Sequence, residues 1–200
     1  AEFIDKENIY IVTSAQYREI CMKQLPELNP ANILCEPSRK NTAACIAYVS
    51  YKLIEINPRA NLICAPADHL ILDTQKFIKV ALDALHFTSH IKALVTLGIK
   101  PSNPNTGYGY IQYEQLAAAE NVFKVKTFTE KPDMELAKTF VASGDFLWNA
   151  GIFVWEVRNI VHAFEKYLPE MHEVFDAEKA SFNTSHEQEA IDKIYPQCVN

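Results

Sequence analysis

Short apolar runs alternate with longer amphipathic segments through the first half of this chain, and that rhythm limits the folds open to it more than any other feature. Ile9–Val12 reads as a strand and Ala15–Leu25 as a helix. Ile33–Cys35 and Asn41–Ile56 repeat the pair, Leu62–Ala65 and Thr74–Ser89 repeat it again, and Ala93–Leu97 ends the series as a fourth strand. Strands joined through helices long enough to cross back over a sheet predict an α/β fold, a mostly parallel sheet with helices on both faces. After Gly98 the rhythm changes. Tyr108–Tyr113, Val122–Thr129 and Phe146–Trp155 are strand-like, with turn residues between them and one helix over Met134–Ala142. These segments predict a mixed or antiparallel flank on a doubly wound core. From Val157 the pattern is helical and more polar, and nothing in the chain reads as a repeat or a linker, so residues 1–200 read as one domain.

Composition narrows the class. A chain of 200 residues with 48% hydrophobic content can bury about 70% of its unfolded surface without stapling. A net charge of −6, with Lys and Arg scattered instead of striped, argues against a nucleic-acid groove. The 5 cysteines, Cys21, Cys35, Cys45, Cys64 and Cys198, are odd in number and lack C-x-x-C spacing, which points to free thiols in a reducing cytosol. Cys35 and Cys64 lie in apolar runs and read as small buried hydrophobes. There is neither an apolar run long enough for a membrane span nor a leader-like series at the start, so a cytoplasmic protein is expected. The opening Ala1-Glu2-Phe3 lacks Met, as expected of a cut or excised segment.

Candidate chemistry sits in the turns. Thr106-Gly107-Tyr108-Gly109-Tyr110, Thr129-Glu130-Lys131-Pro132-Asp133 and Leu147-Trp148-Asn149-Ala150-Gly151 bring glycines, an amide, a carboxylate and an ammonium to loop positions. Glycine lets main-chain donors approach a ligand closely, so these turns suit the wall of a site for a sugar and its phosphate. The same residues also read as plain punctuation, with Gly107 and Gly109 as turn glycines between two strands and Gly151 as a strand bulge.

In open α/β sheets ligands bind outside the carboxyl ends of strands. Two segments fall there. After Ile33–Cys35 comes Glu36-Pro37-Ser38-Arg39-Lys40-Asn41-Thr42, where Asn41 or Thr42 is expected to cap the next helix while its free amides face an anion or a base. A simple helix cap with solvated basic neighbours fits equally. After Leu62–Ala65 comes Pro66-Ala67-Asp68-His69. Asp68 is placed to ligate a divalent cation that bridges phosphates, since Mg²⁺ takes one or two carboxylates plus substrate oxygens. It also suits a turn, and a lone His is ordinarily structural.

Taken in order, the segments resemble a known family. Glu36-Pro37-x-x-Lys40-Asn41-Thr42-Ala43, Pro66-Ala67-Asp68-His69, Thr96-Leu97-Gly98-Ile99-Lys100-Pro101, Thr106–Ile111, Glu130-Lys131-Pro132 and Trp148-Asn149-Ala150-Gly151-Ile152-Phe153 are similar to the blocks of the mannose-1-phosphate guanylyltransferases, also called GDP-mannose pyrophosphorylases. The likeness runs from about Asn8 to Asn200. Ala44 stands where that family often has Pro, and Ala150 where it often has Ser.

The resemblance implies a Rossmann-like, GT-A-like nucleotide-diphospho-sugar transferase fold and the reaction of GTP with mannose 1-phosphate to give GDP-mannose and pyrophosphate. It implies Asp68 as a Mg²⁺ ligand, Glu36, Asn41 and Thr42 on the nucleotide side, and Gly107, Tyr108 and Gly109 along the sugar. Glu130 would accept from sugar hydroxyls, Lys131 would meet the sugar phosphate as a catalytic cation beside Asp68, and Asn149 would close the pocket. GTP and mannose 1-phosphate are then the partners, with association of copies left open.

Two family features are absent from these residues. The Gly-rich loop after the first strand is missing, since the first glycine is Gly98. So is the Trp-x-Asp-x-Gly segment that carries a second metal ligand, since neither Trp148 nor Trp155 is followed two residues later by Asp. The expectation is a central piece of the enzyme, a partial nucleotidyltransferase domain over 1–200 with its first strand missing, inactive alone, and with the strands at Ile9–Val12 and Leu62–Ala65 flanking a gap. A related sugar-1-phosphate nucleotidyltransferase using another nucleotide or hexose, and a non-catalytic sugar-phosphate binding module, are the alternatives.

Overall fold

The computed structural model describes residues 3–198. In chain order the strands are β1 Ile11–Ser14, β2 Ile33–Glu36, β3 Asn61–Cys64, β4 Leu94–Ile99, β5 Tyr110–Ala119, β6 Val122–Thr129 and β7 Phe146–Glu156. The helices are α1 Arg18–Gln24, α2 Asn41–Ile54, α3 Thr74–His90, α4 Met134–Ser143, α5 Val157–Tyr167, α6 Pro169–Ala177 and α7 Glu187–Ile194. They group into two compact units, one of the residues up to Ala60 together with those from Val157 onward, the other Asn61–Glu156. Among the described residues no helix is long and apolar enough to cross a membrane.

In the first unit β1 and β2 pair in parallel, from Ile11 opposite Ile33 to Ser14 opposite Glu36. The helix expected over Ala15–Leu25 is shorter: a 3₁₀ turn, Ala15–Tyr17, precedes α1. It stops at Gln24 because Pro26 bars Leu25 from helical backbone, and Leu25 takes φ −126° and ψ 62°. The helices carry the core. On α5, Val157, Ile160 and Phe164 recur at helical spacing and are buried. Tyr51 of α2 stacks on Phe175 of α6 with ring centres 5.3 Å apart. Lys52 and Glu187 form an ion pair at 2.6 Å with both side chains nearly buried, and Tyr48 donates to the same carboxylate at 2.9 Å.

The second unit is a five-stranded sheet organised around β7. Leu62 of β3 and Leu94 of β4 both lie opposite Trp155, so β3 and β4 occupy opposite edges of β7 and run antiparallel to it. β5 joins the β3 side further back, with Tyr110 opposite Trp148, and β6 pairs outside β5. The α/β architecture is as expected, and β3 and β4 point the same way. The later strands pair antiparallel as expected, but β7 does not flank the alternating series: it is inserted between two of its strands, so each ladder of this sheet is antiparallel. Burial explains the insertion. β7 is apolar on both faces around Ala150, Ile152, Val154 and Trp155, which are all buried, and such a strand belongs inside a sheet instead of at its rim.

Caps set the helix limits in this unit. Asp73 accepts from the Lys76 amide at 3.0 Å to open α3, and Asp133 accepts from the Leu136 amide at 2.9 Å to open α4. Gly144, with φ +77°, closes α4 in the left-handed conformation.

Candidate functional site

The predicted site residues divide between the two units, and each set is described within its own. In the second unit the focus is an irregularity in β7. Thr96 of β4 pairs with Phe153, but Gly98 pairs with Asn149, so a step of two residues along one strand matches a step of four along the other. The surplus forms a bulge at Gly151, whose φ of +67° requires a residue without Cβ strain.

Side-chain bonds hold the bulge in shape. The Asn149 side-chain oxygen accepts from the Thr96 hydroxyl at 2.8 Å and from the Gly151 amide at 3.2 Å. The main-chain amide of Asn149 donates to the carbonyl of Gly109 at 2.8 Å. Among the described residues the side-chain NH₂ of Asn149 has no acceptor, and it remains available to a ligand. Pro66, just beyond the end of β3, has its Cγ 3.4 Å from where a Cβ on Gly151 would stand. At the bulge β7 therefore meets Gly109 through the main chain of Asn149 and Pro66 through Gly151.

Gly109 itself is buried, and a Cβ there would lie 2.6 Å from Oε2 of Glu130 and 3.0 Å from Cζ of Phe128. The missing side chain is therefore what admits the Glu130 carboxylate. Gly107 is held by a local turn in which its amide donates to the Asn105 side chain at 2.8 Å, while the Asn105 amide donates to the buried Tyr110 hydroxyl at 2.9 Å. Tyr108 is half-exposed, with its ring 5.0 Å from that of Trp148. Lys131 takes φ +43°, a left-handed conformation that costs a β-carbon residue free energy, and its exposed ammonium stands 3.8 Å from Glu130. Strain held in an exposed, charged turn is more common at functional sites than elsewhere.

Asp68 is exposed at the loop after β3, and its carboxylate has no hydrogen bond or ion pair among the described residues. It is a free hard-oxygen donor. Among the described residues no three His, Cys, Asp or Glu side chains gather to hold a metal, so a cation at Asp68 would have to draw its other ligands from substrate oxygens and water. Cys64, four residues earlier, is only partly buried and not the buried thiol its apolar run suggests, yet desolvation still pushes it up from about 9 to about 12, which keeps it protonated at neutral pH.

In the first unit Glu36 ends β2, and its Oε2 accepts from the Tyr195 hydroxyl at 2.7 Å and from the Cys45 thiol at 3.4 Å. The expected cap on α2 is not made by Asn41 or Thr42. Asn41 takes a left-handed φ of +61°, away from the extended backbone from which an N-cap residue folds its side chain onto the first-turn amides. Lys40 stands at the cap position and makes no side-chain cap bond. Asn41 and Thr42 are exposed, and the first-turn amides of α2 receive no side-chain acceptor there.

Sequence reasoning gave the Thr96 and Cys45 side chains no role and passed over Tyr195. Thr96 carried a signal, because a hydroxyl between Val95 and Leu97 in a covered strand needs a partner. Tyr195 lies 159 residues from Glu36, and nothing local links them.

Residues 4–193 match the nucleotidyl transferase family. The chain belongs to that family. Among curated nucleotidyl transferase relatives, the mannose-1-phosphate guanylyltransferase of Escherichia coli K12 is 34% identical over 175 residues, which is 84% of this chain and 36% of that protein. The mannose-1-phosphate guanylyltransferase of Salmonella montevideo is 37% identical over 168 residues, 80% of this chain and 34% of that one. The chain thus spans about a third of the length of the curated relatives it matches. A crystal structure described as a mannose-1-phosphate geranyltransferase from Thermus thermophilus superimposes with a TM-score of 0.83 at 23% identity, over 97% of this chain and 55% of that one. That likeness is one of fold. A structure described as a mannose-6-phosphate isomerase from Helicobacter pylori gives 0.74 at 27% identity, over 88% of this chain and 66% of that one.

Proposed function

We propose that the protein carrying this chain transfers a guanylyl group from GTP to mannose 1-phosphate, giving GDP-mannose and pyrophosphate. The observation that carries this reading is the approach of Glu130 to Gly109 beside the Asn149–Gly151 bulge. It lies in a nucleotidyl transferase chain whose curated relatives include proteins named for that reaction. A carboxylate over a bare backbone, next to a free amide NH₂, suits a ligand rich in hydroxyls.

In the proposed reaction a phosphate oxygen of the sugar attacks the α-phosphorus of GTP and the bond to pyrophosphate breaks, with no covalent enzyme intermediate. Positioning and charge stabilisation are then the catalytic demands. Gly107, Tyr108 and Gly109 line the sugar, Glu130 accepts from its hydroxyls, Lys131 meets its phosphate, and Asn149 donates its free amide. Glu36, Asn41 and Thr42 serve the nucleotide. Asp68 would hold Mg²⁺, which supplies charge neutralisation on phosphate oxygens. The five free thiols fit a reducing cytosol as the site of action.

The deciding experiment is a panel assay on the protein carrying this chain, with GTP, UTP, dTTP and ATP against mannose 1-phosphate and glucose 1-phosphate. GTP with mannose 1-phosphate should lead by at least tenfold in kcat/KM. A preference for another nucleotide or hexose would replace the reading with the related transferase, and no turnover with any pair would leave the binding-module reading. The 200 residues alone should not turn over, because no glycine precedes Gly98 to form a triphosphate-binding loop.

A further inference from the structure

Glu36 is the one candidate nucleotide-binding group whose side chain is held by other side chains, and the holders come from distant parts of the chain. Tyr195 follows α7, is fully buried, and donates its hydroxyl to Oε2 of Glu36 at 2.7 Å. Cys45, one turn into α2, places its sulfur 3.4 Å from the same oxygen and 3.5 Å from the Tyr195 hydroxyl. The segment carrying Tyr195 is anchored to the same strand, for Gln188 of α7 donates to the carbonyl of Cys35 at 3.4 Å. Both donors keep their protons. Burial pushes the Tyr195 hydroxyl far above its ordinary value and the Cys45 thiol up to about 11.

The consequence for Glu36 is geometric. A glutamate at a strand end has three rotatable bonds and costs rotamer entropy to fix. With Oε2 occupied by two donors the carboxylate plane is set in advance, and among the described residues Oε1 accepts nothing. A carboxylate with one oxygen held by donors and the other free of protein partners is an acceptor for an N–H edge of a nucleobase.

We propose that Tyr195, seconded by Cys45, is a positioning residue that holds Glu36 in the orientation that accepts from the base of the nucleoside triphosphate. This rests on the reading of Glu36 as a nucleotide-side residue. Tyr195 does not touch the nucleotide, and its effect passes through the carboxylate it orients. Nucleotide selectivity is then tied to the segment after α7, far in sequence from the loop that meets the base.

Steady-state kinetics on the protein carrying this chain test the proposal, with Tyr195→Phe alone, Glu36→Ala alone and the two combined. Tyr195→Phe removes the donor and keeps the buried ring, and should raise KM for GTP about tenfold with kcat within about twofold and KM for mannose 1-phosphate unchanged. In the Glu36→Ala background the same change should add less than twofold, because the group it positions is gone. Cys45→Ser, which keeps a donor, should stay near wild type, and Cys45→Ala should raise KM for GTP by a smaller factor than Tyr195→Phe. An unchanged KM for GTP in Tyr195→Phe, an equal rise in both backgrounds, or a rise confined to mannose 1-phosphate would overturn the proposal. Thermal unfolding of each variant separates loss of fold from loss of positioning: a matching fall in Tm and in kcat would also count against it. Failure of the functional reading is visible separately, as wild type that does not use GTP.

Discussion

Oε2 of Glu130 lies 2.6 Å from the point where a Cβ on Gly109 would stand, so the absence of a side chain at 109 and the position of that carboxylate are a single structural fact. Gly109→Ala should therefore push Glu130 outward and press on Phe128, whose ring is 3.0 Å from the same point. Glu130 is an exposed, flexible side chain and yields cheaply, so stability should fall by no more than about 1 kcal/mol. Activity should fall more than tenfold, chiefly through KM for the sugar phosphate. Near-normal KM in this variant would remove Glu130 and Gly109 from the sugar wall.

The Thr96–Asn149 bond gives a second test. Thr96→Val removes the hydroxyl donor while keeping the strand's shape, and should cost about 1 kcal/mol of stability from the lost hydrogen bond. Asn149 then keeps only the Gly151 amide, and its side chain loses its fixed orientation. We expect Thr96→Val to lower kcat/KM about fivefold through Asn149, and Asn149→Ala to lower it further. If Thr96→Val lost stability and no activity, Asn149 would be a bulge-holding residue without a role toward the ligand.

Asp68→Asn tests the cation ligand. The side chain is exposed and makes no bonds among the described residues, so the amide should leave Tm within about 2 °C. Removing the charge should lower turnover by about 10² or more and raise the Mg²⁺ concentration needed for half-maximal rate. Normal activity with a lower Tm would make Asp68 a turn residue.

Much of this architecture was legible because its signals are local. The limits of β6 coincide with the run of apolar and β-branched residues from Val122 to Thr129, and Asp73 and Asp133 mark the starts of α3 and α4. The place of β7 was not legible, since nothing in Phe146–Glu156 states which strands it will separate. That choice is made by burial on both faces. The site shows the same division. Gly107, Gly109 and Gly151 announce turns and a bulge in the sequence, whereas the bonds Thr96 to Asn149 and Tyr195 to Glu36 span 53 and 159 residues and exist only after folding. The Asn41 cap failed for a related reason. Asn favours caps and left-handed backbone alike, and here the left-handed turn prevailed.

Glu187 should be the most sensitive polar residue of the first unit. It accepts from Lys52 at 2.6 Å, from Tyr48 at 2.9 Å and from the Asn183 amide at 2.7 Å. Glu187→Ala leaves the nearly buried Lys52 ammonium and Tyr48 hydroxyl without their acceptor, and should cost about 3 kcal/mol or more. The double variant Glu187→Leu with Lys52→Met, which removes both charges, should recover at least half of that loss. Chemical denaturation of both variants measures it, and a loss under about 1 kcal/mol in Glu187→Ala would show that water reaches Lys52 freely.

Alkaline pH should unfold the chain earlier than its carboxylates or lysines suggest. Burial pushes the Cys64 thiol from about 9 to about 12 and the Cys45 thiol to about 11, and raises the hydroxyls of Tyr48, Tyr51 and Tyr195. A raised native value means that the folded state keeps a proton the unfolded chain gives up. Below pH 9 both states hold the thiol protons and this stability is present in full. As pH climbs from 9 toward 12 the unfolded chain alone ionises, and stability declines by up to about 1.4 kcal/mol per pH unit for Cys64, with less from Cys45 and with the tyrosines adding their own decline above pH 10. Urea midpoints measured from pH 7 to 11 should be flat up to about 9 and fall steeply after it. Cys64→Ala should make the fall between 9 and 10 shallower even though it lowers the plateau by creating a cavity. A slope unchanged by that substitution would mean that Cys64 is reached by water in the folded protein and does not contribute to the alkaline transition.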